Sequence, residues 1–216
     1  PLDYIAGKMV VVRSLERRMH LLSVTPSGHP LSDASLSRLA VPDEEITFAA
    51  MVPLQVYNSL QVPEEHERLR CIRHLIIGGG AIDERLAEAL HDFPHAVWST
   101  YGMTETLSHI ALRRLNGPDA SDWYRPFDGV KTRLNSDGCL VINAPAVCPG
   151  TLVTNDRAEL RSYGRQDNAT ASCFRILGRK DNVIDSGGIK IQIEEVEHRL
   201  RPRLTGGFAI TSCPDE

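Results

Sequence analysis

Six consecutive residues, Tyr101-Gly102-Met103-Thr104-Glu105-Thr106, carry the densest set of chemically useful groups in the chain. A tyrosine ring can stack on a flat heterocycle, a threonine hydroxyl can bond a phosphate oxygen, and a glutamate offers a hard oxygen ligand to Mg²⁺. The same run also suits a buried tyrosine beside a helix cap, with Thr104 or Thr106 as the capping hydroxyl. Upstream, Gly78-Gly79-Gly80 opens backbone amides and lets a flat ligand approach closely. A plain tight turn explains that triplet equally well. It is not the dinucleotide fingerprint, because Asp83 stands where the third glycine of G-x-G-x-x-G belongs.

The elements that would position these groups follow from patterning. Residues 74–77 read as a buried strand, 78–80 as a turn, 82–93 as an amphipathic helix and 96–99 as a second strand, which is the grammar of a parallel α/β layer. Before them, residues 8–22 mix apolar and basic positions in a helical manner, and 23–33 read as a polar loop. Residues 33–39 suggest a short helix, 46–52 a strand, and 54–60 a helix. From Gly129 onward short β-like runs take over, at 130–134, 139–144, 151–154 and 174–177. Residues 178–181 read as a charged linker, 182–193 as a hairpin turning at Ser186-Gly187-Gly188, 194–200 as a helix and 207–211 as a strand.

Other constellations carry less. Ser108 and His109 are sequence neighbours, poorly placed as nucleophile and base, and no G-x-S-x-G elbow exists. His91 and His95 have i,i+4 spacing, but Pro94 interrupts the helix and no third ligand is evident. Arg13, Arg17 and Arg18 cluster around Glu16 and read as a solvated helix face. The formal net charge of -4 gives no electrostatic case for nucleic acid. No stretch reaches the ~18 apolar residues of a membrane helix. Five cysteines, odd in number and never spaced C-x-x-C, fit reduced thiols in a cytoplasmic protein.

The hexapeptide at 101–106 resembles the Y-G-M/S/L-T-E motif of the adenylate-forming ligases, which include acyl- and aryl-CoA synthetases. Two later segments resemble that family in order and spacing. Val153-Thr154-Asn155-Asp156 is similar to its T-G-D segment, with Asn155 in place of the usual glycine. Gly178-Arg179-Lys180-Asp181-Asn182 with Ser186-Gly187-Gly188 is similar to its G-R-x-D-D…x-G-G hinge, with Asn182 in place of the second acid. The resemblance implies that Gly78, Gly79, Gly80, Tyr101, Gly102, Thr104, Asp156 and Arg179 contact the nucleotide. Asp156 would take the ribose hydroxyls, Glu105 would hold Mg²⁺, Thr104 and Glu105 would act in catalysis, and Asp181 would be the pivot of a domain rotation.

Within the family, several details resemble the o-succinylbenzoate–CoA ligases of menaquinone synthesis. These are Pro1-Leu2-Asp3-Tyr4-Ile5-Ala6-Gly7 with Arg13 six residues on, the Thr106-Leu107-Ser108-His109 extension, and Asp181-Asn182-Val183-Ile184. Their substrate is a dicarboxylate aryl ketone, so Arg13 suits its free carboxylate, and the resemblance makes Ser108 and His109 further substrate-site residues. An arginine on an amphipathic helix is otherwise simply exposed.

The resemblance implies an α/β fold: the later part of a large nucleotide- and acyl-binding domain over residues 1–177, with 128–177 a β-rich subdomain. A hinge at 178–181 and an incomplete α+β C-terminal domain at 182–216 would follow. ATP, Mg²⁺ and CoA are the implied co-substrates, with a small aryl acid as partner. The family's Ser/Thr/Gly-rich phosphate loop is expected upstream of Pro1 and its catalytic lysine beyond Glu216, so this chain is expected to be inactive alone. Rival readings are a synthetase for another aryl or fatty acid and a non-catalytic nucleotide-binding module.

Overall fold

The run His74-Leu75-Ile76-Ile77 forms strand β2 (His74–Ile77), with Leu75 and Ile77 fully buried. β1 (Phe48–Met51) pairs with it in parallel, as does β3 (Ala96–Gly102) on the other side. Parallel neighbours need crossovers, and helices provide them. β1 leads through α2 (Pro53–Gln61) and α3 (Pro63–Arg70) to β2, and β2 through α4 (Glu84–Leu90) to β3. Pro53 and Pro63 each occupy a helix's opening turn, where a missing N–H costs nothing. Asp83 caps α4, its carboxylate accepting from Leu86 N at 2.8 Å. The residue that breaks the glycine fingerprint is thus there to start a helix.

The computed structural model describes residues 2–36, 46–164, 170–186, 189–204 and 208–211. The chain divides into two units, Pro1–Phe127 and Asp128–Glu216. In the first, β4 (His109–Arg114) and β5 (Arg125–Pro126) extend the sheet antiparallel, giving the order β1-β2-β3-β4-β5. Its core is aliphatic, built on Val56, Leu69, Leu75, Ile77, Leu90 and Val97. Helix α1 (Ile5–Glu16) precedes these elements, followed by a 3₁₀ turn at Pro30–Ser32.

The second unit is a four-stranded antiparallel sheet of β6 (Lys131–Leu134), β7 (Cys139–Asn143), β8 (Thr151–Gly164) and β9 (Thr170–Arg179). Leu140, Ile142 and Phe174 are fully buried in it. A hairpin of β10 (Val183–Ser186) and β11 (Ile189–Gln192) then leads into α5 (Ile193–Leu200).

Several sequence expectations are corrected. α1 stops at Glu16, and Arg18 lies beyond it at φ 51°. The helix expected over 82–93 covers only Glu84–Leu90, because Asp83 caps it late. The four-residue strand expected at 151–154 runs for 14 residues and pairs with a 10-residue β9. Gly178 and Arg179, expected in a linker, end β9 instead. Residues 208–211 take no strand conformation. Helix α3 and strands β4 and β5 were not anticipated. The turn at Gly187-Gly188, and residues 37–39 of the early helix, lie outside the described residues.

Candidate active site

Arg13 sits half-buried on α1 and donates from Nη2 to Ser108 Oγ at 2.7 Å. The same nitrogen lies 3.4 Å from His109 Nδ1, and Ser108 Oγ is 3.2 Å from that Nδ1. Aromatic rings flank the cluster: the Arg13 guanidinium is 5.9 Å from the Phe48 ring centre, and His109 meets Phe127 edge-on at 5.4 Å. Burial first, and the Arg13 charge second, push the His109 imidazole down to about 4. It is therefore neutral near pH 7, with Nδ1 accepting and the proton on Nε2. Burial draws Arg13 below its usual value, yet a guanidinium stays charged. Arg13, Ser108 and His109 thus come together, and Arg13 is no exposed surface arginine. Ser108 and His109 also stand within hydrogen-bond reach, against the sequence expectation. Ser108 precedes β4 in a turn, so the side-chain alternation of a strand does not yet apply.

The motif loop connects β3 to β4. Its threonines and glutamate form a 3₁₀ turn, Thr104–Thr106, with Thr104 and Glu105 exposed and Thr106 buried. Thr106 Oγ1 accepts from Met103 N at 3.1 Å, and lies 3.0 Å from Met103 O and 2.7 Å from Ser108 O. The capping hydroxyl of this segment is therefore Thr106, and the Thr104 and Glu105 side chains are exposed. Leu107 follows at φ 62° and ψ -37°, with Ser108 N donating to Thr106 O at 2.6 Å. Such a turn around a non-glycine residue stores on the order of 1–3 kcal/mol. Gly102 is required by packing: a Cβ there would lie 2.4 Å from Ser108 O and 2.5 Å from His109 Cα.

Tyr101, partly exposed, stands 5.8 Å from Tyr124 with the rings tilted by 58°. Tyr124 is fixed by Ser99 Oγ at 2.7 Å from its hydroxyl and by Arg113 at 5.2 Å from its ring. Gly78, Gly79 and Gly80 leave the end of β2, which pairs through Ile77 with Ser99 of β3. The triple glycine and Tyr101 thus leave the carboxyl ends of adjacent parallel strands, where ligands of open α/β sheets bind.

The second unit gathers the remaining residues. Asp156 and Arg179 are direct partners across β8 and β9. Thr154, buried and donating to Leu140 O at 2.8 Å, accepts from Asp156 N at 3.1 Å and sets that turn of the strand. Arg179 grips Asp181 with two parallel bonds, Nε to Oδ1 at 2.9 Å and Nη2 to Oδ2 at 2.7 Å. That fork holds the Asp181 carboxyl down at about 2. Around it, Glu194 accepts from Arg179 N at 3.1 Å and Asn182 Nδ2 at 2.8 Å, and Gln192 donates to Arg179 O at 2.8 Å. Gly178 sits at φ 147°, a backbone conformation that side chains rarely adopt, so glycine is needed there. Gln192 and Glu194 gave no signal in the sequence beyond helix-start polarity, and neither Phe48 nor Phe127 belongs to a motif.

Among the described residues no group of three or more His, Cys, Asp or Glu could hold a metal by itself. Glu105 stands as a single exposed carboxylate, which suits Mg²⁺ held mainly by phosphate oxygens and water. His91 pairs with the adjacent Asp92 at 2.9 Å.

The sequence profile of the family described as AMP-binding enzyme matches residues 1–150. The chain belongs to that family. AMP-binding enzymes to which it is similar include the 2-succinylbenzoate–CoA ligase of Bacillus cereus (strain AH820), 24% identical over 220 residues. That match covers 91% of this chain and 44% of the relative. A solved AMP-forming acyl-CoA synthetase/AMP-acid ligase II-like protein of Dyadobacter fermentans DSM 18053 is 33% identical, with a TM-score of 0.67 over 92% of this chain and 52% of its own. The fold is also that of the o-succinylbenzoate CoA synthetase of Bacillus subtilis in complex with ATP and magnesium ion, at 22% identity and TM-score 0.60 over 93% and 44% of the two chains. The chain therefore spans about half the length of these relatives. The α/β fold of adenylate-forming ligases expected from the motifs is the fold observed. No described helix is long and apolar enough to cross a membrane.

Proposed function

We propose that this chain carries nucleotide- and acid-binding parts of an ATP-dependent acid–CoA ligase acting on an aryl acid with a second carboxylate, o-succinylbenzoate. The observation that carries it is the convergence of Arg13, Ser108 and His109 between two aromatic rings, beside the loop bearing Thr104 and Glu105. A guanidinium and a hydroxyl match a carboxylate, and the rings match an aryl group. The similarity to 2-succinylbenzoate–CoA ligase points the same way.

In the reaction, an oxygen of the acid's other carboxylate attacks the α-phosphorus of ATP. The bond to the β-phosphate oxygen breaks, and pyrophosphate leaves. The CoA thiolate then attacks the acyl carbon of the adenylate, and AMP departs with its phosphate oxygen. Thr104 would bond phosphate oxygens, Tyr101 would face the adenine, and Asp156 would accept from the ribose hydroxyls. Glu105 would hold Mg²⁺, whose chemistry is neutralisation of phosphate charge. Arg179 would meet the nucleotide and Asp181 would serve as the pivot between a large domain and the segment from 182 onward. Catalysis of this kind rests on positioning and charge neutralisation.

The test is calorimetric titration of the chain with o-succinylbenzoate and with its analogue lacking the ring carboxylate. Preference for the dicarboxylate, abolished in Arg13→Ala, is expected. Equal binding of both acids by the unaltered chain overturns the substrate assignment.

A further inference from the structure

The loop from Met103 to His109 joins two groups of residues with different assigned partners. Thr104 and Glu105 point to solvent at one end, and Ser108 and His109 face Arg13 at the other. Only Leu107 separates Thr106 from Ser108, and its backbone is strained, so sequence proximity alone does not hold the ends in register. Strained turns persist where the surroundings over-determine them. The surroundings here are two contacts. Gly102 presses against the Ser108 carbonyl and the His109 backbone, leaving no room even for a Cβ. The Thr106 hydroxyl, 1% exposed, then ties Met103 N to Ser108 O across the turn. With a single proton to give, the hydroxyl favours Ser108 O at 2.7 Å over Met103 O at 3.0 Å.

We propose that Thr106 is a positioning residue that holds the acid-anchoring pair, Ser108 and His109, in fixed register with the phosphate- and metal-facing pair, Thr104 and Glu105. What the two ends bind rests on the function proposed above; the register itself does not. A valine at 106 keeps the branched shape but leaves Met103 N and Ser108 O without their buried partner. The Ser108 carbonyl then turns to find another donor, and it carries the Ser108 and His109 side chains away from Arg13.

The environment of His109 reports this displacement without any need for turnover. In the isotopically labelled chain, NMR titration should show the wild-type imidazole remaining neutral down to about pH 4. Thr106→Val should raise its midpoint by about one unit or more, as burial and the Arg13 contact are lost. Thr106→Ser should restore the wild-type value, because it returns the hydroxyl. Should Thr106→Val fail to fold, Thr106→Cys is read in its place, with a smaller rise expected from its weak donor. A folded Thr106→Val or Thr106→Cys chain whose His109 titrates like wild type overturns the proposal, as does a raised midpoint in Thr106→Ser. Adding AMP and Mg²⁺ separates the two readings. A wild-type chain whose Thr104 and Glu105 signals do not respond counts against the nucleotide assignment, and the His109 titration still decides the role of Thr106.

Discussion

Arg13 Nη2 lies 2.7 Å from Ser108 Oγ, a contact that joins helix α1 to the start of β4 across 95 positions of sequence. It brings a charged group on the first helix to the loop that joins β3 to β4.

Arg13→Ala should weaken o-succinylbenzoate binding by roughly 10- to 150-fold, the worth of a charge-assisted hydrogen bond of about 1.5–3 kcal/mol. Arg13→Lys should recover part of this, since lysine keeps the charge and loses the planar fork. The analogue without the ring carboxylate should bind all three proteins alike. Calorimetry on the two acids makes the comparison. Equal losses for both acids would make Arg13 a structural residue.

The same contact predicts a pH dependence. His109 in the folded chain titrates at about 4 against an ordinary 6.5, so the unfolded chain binds more protons between those values. Stability from this group is fully present above about 6.5 and is lost as pH falls toward 4. Burial is the larger cause, so Arg13→Met should raise the midpoint only part of the way back. Urea unfolding at pH 7.5 and 5 would show a smaller difference for His109→Gln than for wild type.

How much of this was legible in sequence divides along physical lines. β2 was read to the residue because its short run, with two isoleucines and three glycines after it, is too short for a helix and is ended by glycine. Tyr101, Thr104 and Glu105 stand out in the sequence by residue type, and their assigned roles come from the motif they resemble. Thr106 was seen only as a cap, because its bond to Ser108 O depends on the backbone reversal at Leu107, which no residue type signals. β4 was hidden by its arginines: Arg113 and Arg114 look like surface residues, yet they lie over Tyr124 and Trp98. The Gln192–Glu194 contacts to the segment at 178–182 arise from a hairpin's closure, and a single sequence does not give that register.

Glu65, 1% exposed, is a stability determinant away from the site. It accepts from Ser32 Oγ at 2.5 Å and Ser59 Oγ at 2.7 Å, and His29 Nδ1 stands 2.9 Å away. Burial pushes its carboxyl up, but those three bonds outweigh it and leave the value below the ordinary 4.5. The stabilisation is present at neutral pH and is lost as pH falls through the folded value. Glu65→Ala should cost about 3 kcal/mol in urea unfolding, since it also strands the buried Ser59 hydroxyl. A change under about 0.5 kcal/mol, the range of ordinary surface substitutions, would deny the cluster that role.

The four lysines, Lys8, Lys131, Lys180 and Lys190, close no Ser/Thr/Gly-rich run. Lys180 is instead engaged with Asp137 at 2.6 Å. Loss of one preorganised charge contact typically costs ~2.7–4 kcal/mol of barrier lowering. The 216-residue chain should therefore show no ATP–pyrophosphate exchange above background with o-succinylbenzoate. Robust exchange would mean that other groups neutralise the phosphates.

Arg179 and Asp181 give the last prediction. Their parallel bonds occupy two of the guanidinium's donors, and the carboxylate stays ionised down to about pH 2, so the fork is intact at any working pH. If Arg179 meets the nucleotide, phosphate must compete with Asp181 for the same donors. Asp181→Asn keeps the shape and removes the charge that competes with phosphate for the Arg179 donors. AMP should then bind about two- to fivefold more tightly, the modest scale of an exposed ion pair. Arg179→Ala should weaken AMP binding, and Arg179→Ala with Asp181→Asn should match Arg179→Ala alone, because without the guanidinium the carboxylate has nothing to withhold. The measurement is AMP affinity for the four proteins at fixed ionic strength. Additive effects of the two substitutions would show that the fork and the nucleotide do not share Arg179.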